Sequence, residues 1–248
     1  MGLESRPSMA WEDTAVAPEF LWCETIAPAA WTLPLSRAVL QDAGVPGVQF
    51  GCGGRLPRSV LNADLVGFTD IRLESTAPGR VYRVNEAPFL HHDVTHPLPV
   101  EDGAFDWAYS EHLIEHISQA QAVAWLKDVR RVVKPGGLLR LTTPDLERYA
   151  AAYAQRDEPF FAEHSRRLRE FGLPAMPTRR AFMLNQIFQF WGHRWIYDFD
   201  ELVHVLVQAG FAADAVERRA FQESAVAEAG LLDSEVRRDE TLYVDVTT

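Results

Sequence analysis

The chain has 248 residues, 47% of them hydrophobic, enough to bury a substantial core as one domain with additions. Its formal charge of −11, from 24 basic and 35 acidic residues, lacks the electrostatic footprint of sequence-independent nucleic-acid binding, so neither DNA nor RNA is expected as a partner. No apolar run is long enough to span a bilayer, the N-terminus lacks a charged-then-apolar leader, and Arg6 stands where a myristoylation signal needs Ser or Thr, so no membrane association is expected.

Residues 1–34 are rich in Pro, Ala and Trp without a sustained period and read as an irregular arm. Trp11, Trp22 and Trp31 are too many large aromatics for a solvated tail, so the arm is expected to pack back on the domain, over the site or on its surface. A short helix from Ser36 to Asp42 stops at Gly44 and Pro46, which sets residues 1–45 apart from a main domain at 46–248.

Val48-Gln-Phe-Gly-Cys-Gly-Gly54 reads as a strand delivering its end to a ligand, because glycines reach backbone conformations closed to other residues and let a molecule lie against the main chain. In a dinucleotide-binding fold a carboxylate about 20 residues further on bonds the ribose hydroxyls. Asp64 arrives early, so either the first crossover is abbreviated or the partner is Asp70. Ala77-Pro-Gly79 reads as a turn between short strands at Asp70–Leu73 and Arg80–Val84, an inserted hairpin within residues 66–90.

A third strand ends at His91-His92-Asp93-Val94, and Phe105–Tyr109 is apolar enough for a buried fourth. Ser118-x-x-Gln121 is a capping box for a helix carrying Ala122, Trp125, Leu126, Val129 and Val133 at helical spacing, which Lys134-Pro-Gly-Gly137 stops. Leu138–Thr143 follows as a strand, and the alternation predicts a doubly wound α/β sandwich.

The stretch at about 150–197 reads as a substrate-side segment. Its basic cluster, Arg166, Arg167, Arg169, Arg179 and Arg180, suits either an anionic group on a substrate or a solvated helix face. Phe188, Phe190, Trp191 and Trp195 suit either a pocket wall or plain core. Asp198-x-x-Glu201 starts the last clear helix, and extended runs around Ala215–Phe221 and Thr241–Val246 predict an antiparallel pair closing the sheet edge.

His112-Leu-Ile-Glu115-His116 matches an inverted zincin motif, but the parallel α/β context is poor for a metalloprotease, and no metal is expected. Cys23 and Cys52 fit neither a metal spacing nor a disulfide framework and point to a reducing, cytoplasmic compartment. A nicotinamide enzyme would need a third glycine where Leu56 stands and a full helix after the turn for a pyrophosphate. The expected ligand is nucleoside-like, without a diphosphate.

Phe50-Gly-Cys-Gly53, Asn62-Ala-Asp64, Pro97-Leu-Pro99, Phe105–His116, Arg131–Gly137 and Thr143-Pro-Asp145 together resemble class I S-adenosylmethionine-dependent methyltransferases, most closely a bacterial type 11-like subgroup with a shortened first crossover. Trp191–Asp198 and Gln208–Phe211 extend the resemblance over roughly residues 46 to 246; the long insertion after Asp64 and the Trp-rich arm depart from it.

The resemblance implies a seven-stranded, mostly parallel sheet with an antiparallel C-terminal hairpin in a three-layer αβα sandwich. It places Gly51 and Gly53 at the methionine moiety of S-adenosylmethionine, Cys52 among the cofactor-binding residues, Asp64 at the ribose, Asp93 and Val94 at the adenine, and Ser110 at the cofactor from the fourth strand. His112 and His193 are the expected bases for an acceptor that must lose a proton, and S-adenosylhomocysteine is the expected product. A small-molecule acceptor, such as a biosynthetic intermediate, is the expected substrate. A peptide or protein acceptor, a non-methylating regulatory relative and a cyclase are the alternatives, and a homodimer is compatible with the arm and hairpin as contact elements.

Overall fold

The computed structural model describes residues 19–170, 172 and 176–248. Trp11 and the first 18 residues of the arm lie outside the described residues. In chain order the first elements are β1 (Phe20–Trp22), β2 (Ile26–Pro28), α1 (Arg37–Asp42), β3 (Gly47–Phe50), β4 (Val60–Asp64), β5 (Gly67–Thr69), β6 (Val81–Val84), β7 (Ala87–His91) and β8 (Phe105–Glu111). They are followed by α2 (Gln119–Val132), β9 (Val133–Pro144), α3 (Leu146–Gln155), α4 (Glu158–Glu170), α5 (Arg180–Gln189), α6 (Phe199–Gln208), β10 (Val216–Arg219), α7 (Ala227–Gly230) and β11 (Thr241–Thr247).

The main sheet has nine strands in the order β10-β11-β9-β8-β3-β4-β7-β6-β2. Its centre is parallel, β7-β4-β3-β8-β9, and β11 and β10 close one edge antiparallel, so the expected doubly wound topology and C-terminal hairpin are present. The seven expected strands become nine because β6 folds back antiparallel on β7 and β2 of the arm pairs with β6. The tight β6–β7 turn is made by Asn85 and Glu86, both at positive φ (46° and 69°), the backbone of a two-residue hairpin loop. The hairpin is therefore centred on residues 85 and 86, not on the expected turn at 77–79. Residues 70–73 form a turn around the Asp70 carboxylate, which accepts from Arg72 N (2.8 Å) and Glu74 N (3.2 Å).

The described part of the arm is more regular than its composition suggests. Its β1 pairs with β5 in a separate two-stranded sheet, and Asn85 Oδ1 takes the backbone N–H groups of Glu24 and Thr25, both at 3.1 Å. Trp31 packs against the main core beneath the Arg83 guanidinium, while Trp22 is 65% exposed.

One face of the sheet carries the main core. Val48, Phe50, Leu61, Ala108, Leu139, Leu141 and Val244 meet Leu40 of α1, Trp125, Leu126 and Val129 of α2, and Leu202 and Leu206 of α6. Trp125 stands edge-on to Phe50 with ring centroids 5.6 Å apart. Local chemistry starts these helices. Ser118 and Gln121 form the reciprocal capping box, and Asp198 accepts from Glu201 N at 2.9 Å.

The opposite face is covered by the β10–β11 connection, where Val226, Ala229 and Leu232 lie on Trp107, Tyr109 and Leu138. A fully buried Arg140 fastens it, donating to Asp233 Oδ2 (2.5 Å), Asp245 Oδ1 (3.3 Å) and the carbonyls of Ala220 (2.9 Å) and Glu223 (2.8 Å). α3, α4 and α5 build a second small core around Tyr149, Phe160, Phe161, Met183 and Ile187. No helix among the described residues is long and apolar enough to cross a membrane.

Candidate functional site

In an open α/β sheet the ligand crevice lies at the carboxyl ends of the strands, where the winding direction reverses. Here the chain runs β3 to β4 to β7 one way and β8 to β9 the other, so the switch falls between the adjacent strands β3 and β8. The glycine turn emerges from β3 at that point. Gly51 (φ +66°) and Gly53 (φ +52°) adopt left-handed backbone, and the Gly51 N–H bonds Ala63 O of β4 at 2.9 Å. A side chain at Gly51 would press on Leu113 at 3.2 Å, whereas a Cβ at Gly53 or Gly54 meets nothing within 4 Å, so the turn faces open space.

No helix follows the turn before β4 begins at Val60, so the first crossover is abbreviated and the end of β4 comes straight to the glycines. The Asp64 carboxylate accepts from Gly53 N (2.7 Å) and Val66 N (2.8 Å), tying the two strand ends together. Burial pushes the Asp64 carboxyl up, against the hydrogen bond from Gly53. The alternative carboxylate, Asp70, binds its own turn and the Arg72 guanidinium (3.1 Å).

The next strand end lies alongside, since His92 N bonds Asp64 O at 2.8 Å. Partial burial pushes the Asp93 carboxyl up, but hydrogen bonds from Thr95 N (2.9 Å) and Oγ1 (2.8 Å) outweigh it and hold Asp93 below the usual carboxylate range. Cys52, Val94 and Ser110 sit deeper. Cys52 packs with Cys23, Phe68 and Phe89, and its burial raises its thiol well above the ordinary value. Val94 joins the main core. Ser110, in register with Phe50, is fully buried with its Oγ unpartnered.

Beyond β8 the chain makes a 3₁₀ turn, Ile114–His116. The α-helix that an inverted zincin motif requires, with two histidines on one face, is therefore not formed, in line with the low standing of that motif in the sequence. His112, at φ +48°, is buried with both ring nitrogens engaged, Nε2 with Thr241 Oγ1 (2.8 Å) and Nδ1 with Arg237 (2.6 Å). Burial first, then the Arg237 charge, holds its imidazole well below the ordinary value. This ring is positioned, with no nitrogen left over to serve as a base.

His193 arrives on the segment after α5, which docks on the 3₁₀ turn through Arg194 N and Trp195 N to Glu115 O (2.6 and 3.2 Å). Its ring stands edge-on to His116 with centroids 4.9 Å apart, and Nδ1 bonds Ile187 O at 2.6 Å, which leaves Nε2. Burial lowers its pKa to about 4. Beside the two histidines lies Glu115, fully buried, whose Oε2 accepts from Thr143 Oγ1 at 3.1 Å; burial raises its pKa to about 8.

Sequence reasoning put the glycine turn, Asp64 and Asp93 at strand ends and His193 among the aromatics of an acceptor pocket, but missed Glu115, His116 and Arg237 as neighbours of His193. Glu115 and His116 were visible only inside a motif that presupposes an α-helix, and Arg237 carries no local signal. Phe182, Phe190 and Trp191 pack against the small helical core, while Phe188 and Trp195 are 44% and 43% exposed. Arg166 and Arg167 pair with Glu163 and are part of a salt-bridged helix face. A cavity of about 630 Å³ between α3 and α6 is lined by Ala150, Ala151, Ala154, Phe199 and Arg218, and none of the expected site residues borders it.

Residues 48–141, from β3 through most of β9, match the family model described as "Methyltransferase domain". The matched segment, less than half of the chain, is similar to methyltransferase domains. The chain is 30% identical over 130 residues to an uncharacterized 37.1 kDa protein in transposon TN4556 of Streptomyces fradiae, a stretch that is 47% of this chain and 36% of that protein. It thus spans about a third of the length of that curated relative. Among solved structures it resembles an S-adenosylmethionine-dependent methyltransferase from Mesorhizobium loti (16% identity, 85% of this chain and 96% of that one, TM-score 0.42). It also resembles a possible histamine N-methyltransferase from Thermotoga maritima (16% identity, 86% and 89%, TM-score 0.45).

Proposed function

We propose that the whole chain transfers a methyl group from S-adenosylmethionine to a small-molecule acceptor, by O- or N-methylation of a biosynthetic intermediate, in the cytoplasm. The observation that carries this reading is the open glycine turn at the switch point, closed on its far side by the Asp64 carboxylate at 2.7 Å from Gly53 N. These residues fit the cofactor: bare backbone with free space above it, a carboxylate for a vicinal diol, and a second carboxylate one strand further along.

When bound, the cofactor supplies an electrophilic methyl on a sulfonium. The residues of this chain do the rest. Gly51 and Gly53 admit the amino-acid moiety against the main chain. Asp64 uses lone pairs beyond those given to Gly53 and Val66 for the ribose hydroxyls, since a carboxylate offers about four acceptor positions. Asp93 would accept from the adenine amino group, with Val94 as its apolar neighbour; Ser110 and Cys52 are buried.

Holding an acceptor in line at near-attack distance supplies up to roughly 7–11 kcal/mol without any covalent intermediate. An acceptor hydroxyl must also lose a proton, and His193, whose Nδ1 alone is engaged by Ile187 O, is the candidate base, with His112 as a positioning residue. The test is incubation with methyl-labelled cofactor and a screen of small hydroxylated and amino acceptors. Label in a small product with release of S-adenosylhomocysteine supports the reading; label only in added peptide or protein would move it to a macromolecular acceptor.

A further inference from the structure

We infer that Glu115, His116 and His193 form a binding site for one first-row divalent cation of the zinc type. One ligating atom from each residue lies within 4.8 Å of the other two. Glu115 Oε1 is buried with no hydrogen-bond partner, an expensive state for a carboxyl oxygen and a sign that something belongs opposite it. It lies 4.0 Å from His116 Nε2 and 3.5 Å from His112 Nδ1.

The surroundings orient the ligands as metal sites do. Thr143 Oγ1 holds Glu115 Oε2, and the Ile187 carbonyl holds His193 Nδ1, which directs Nε2 to the cluster. Ligands at about 2.0–2.2 Å from a tetrahedral ion stand about 3.4 Å apart, so the 4.0 Å Glu115–His116 separation must close by about 0.6 Å and the widest of the three by no more than about 1.4 Å. That is a small side-chain rotation for two half-buried imidazoles. Two imidazoles and one carboxylate suit zinc, cobalt or iron(II) rather than magnesium or calcium, and three protein ligands leave a fourth position for a solvent oxygen. The neighbouring Arg237 charge opposes a cation, and the Glu115 carboxylate offsets it.

No metal is expected from the sequence, whose motif offers His112 and His116 on one helix. This set replaces His112 with His193. It stands apart from the methyl-transfer reading, because metal binding is measured without cofactor or acceptor; in the loaded protein His193 acts through the ion instead of as a free base.

The test is competition of the metal-stripped full chain with a chromophoric chelator for Zn²⁺, and absorption spectra of the Co²⁺-loaded chain. The expected result is one Zn²⁺ per chain, a four- or five-coordinate cobalt spectrum, and affinity lowered about 100-fold or more by His193→Ala. His204→Ala, at an exposed histidine bonded to Gln208 on α6, should leave binding unchanged. Binding that is absent, that survives His193→Ala, or that falls equally with His204→Ala would overturn the inference.

Discussion

Replacing Asp64 separates the cofactor role of this carboxylate from its structural one. In Asp64→Ala the N–H groups of Gly53 and Val66 lose their acceptor, and so do the ribose hydroxyls of a bound ligand. A hydrogen bond to a charged group is worth about 1.5–3 kcal/mol, so S-adenosylhomocysteine affinity should fall about 10- to 150-fold. The two stranded N–H groups sit at the crevice mouth where water reaches them, so the stability loss should stay near the low end of about 1–3 kcal/mol.

Asp64→Asn, which keeps one carbonyl acceptor, should recover part of both. Asp70→Ala is the matched control: it removes the acceptor of Arg72 N and Glu74 N and should cost stability without changing affinity. Urea unfolding followed by calorimetric titration of the folded variants reads the two effects separately. Weakened binding in Asp70→Ala with unchanged binding in Asp64→Ala would refute the assignment.

His193→Ala should leave S-adenosylhomocysteine affinity intact while lowering turnover with the physiological acceptor; unchanged turnover would remove it from the acceptor side. Arg140→Met strands Asp233 and Asp245 in the covered face and should cost about 3–5 kcal/mol, measured by urea unfolding, with a loss under 1 kcal/mol counting against the network. Glu115, with its folded pKa raised to about 8 from 4.5, favours the folded state while protonated. The metal-free chain should therefore lose a few kcal/mol of this contribution as pH rises from about 4.5 to 8, and Glu115→Gln should flatten that part of the stability profile. Gly53→Ala adds a side chain at φ +52° into open space, so it should strain the turn by about 1–2 kcal/mol and weaken cofactor binding, while Gly79→Ala, at the remote 77–79 turn, should only strain.

The features legible in the sequence are those that local chemistry decides. The Ser118–Gln121 box, the Asp198 cap, the apolar strand at Leu138–Thr143 and the glycines after Phe50 each act within a few residues. The β6–β7 turn was misplaced because Glu86 adopts a conformation that glycine usually announces. The arm's three-residue strands are too short to show a period, and they exist because β5, β6 and Asn85 offer the arm partners. Arg140 looks like an ordinary exposed-type residue until residues 93 and 105 positions away fold onto it. Likewise, the Glu115–His116–His193 cluster depends on residues 194 and 195 docking on a 3₁₀ turn, which no spacing rule encodes.

The most direct test of the central claim is calorimetric titration of the purified chain, stripped of copurified nucleoside, with S-adenosylhomocysteine and with NAD. The account predicts one site of about micromolar affinity for the first and no binding of the second. Binding of NAD, or of neither molecule, would contradict it.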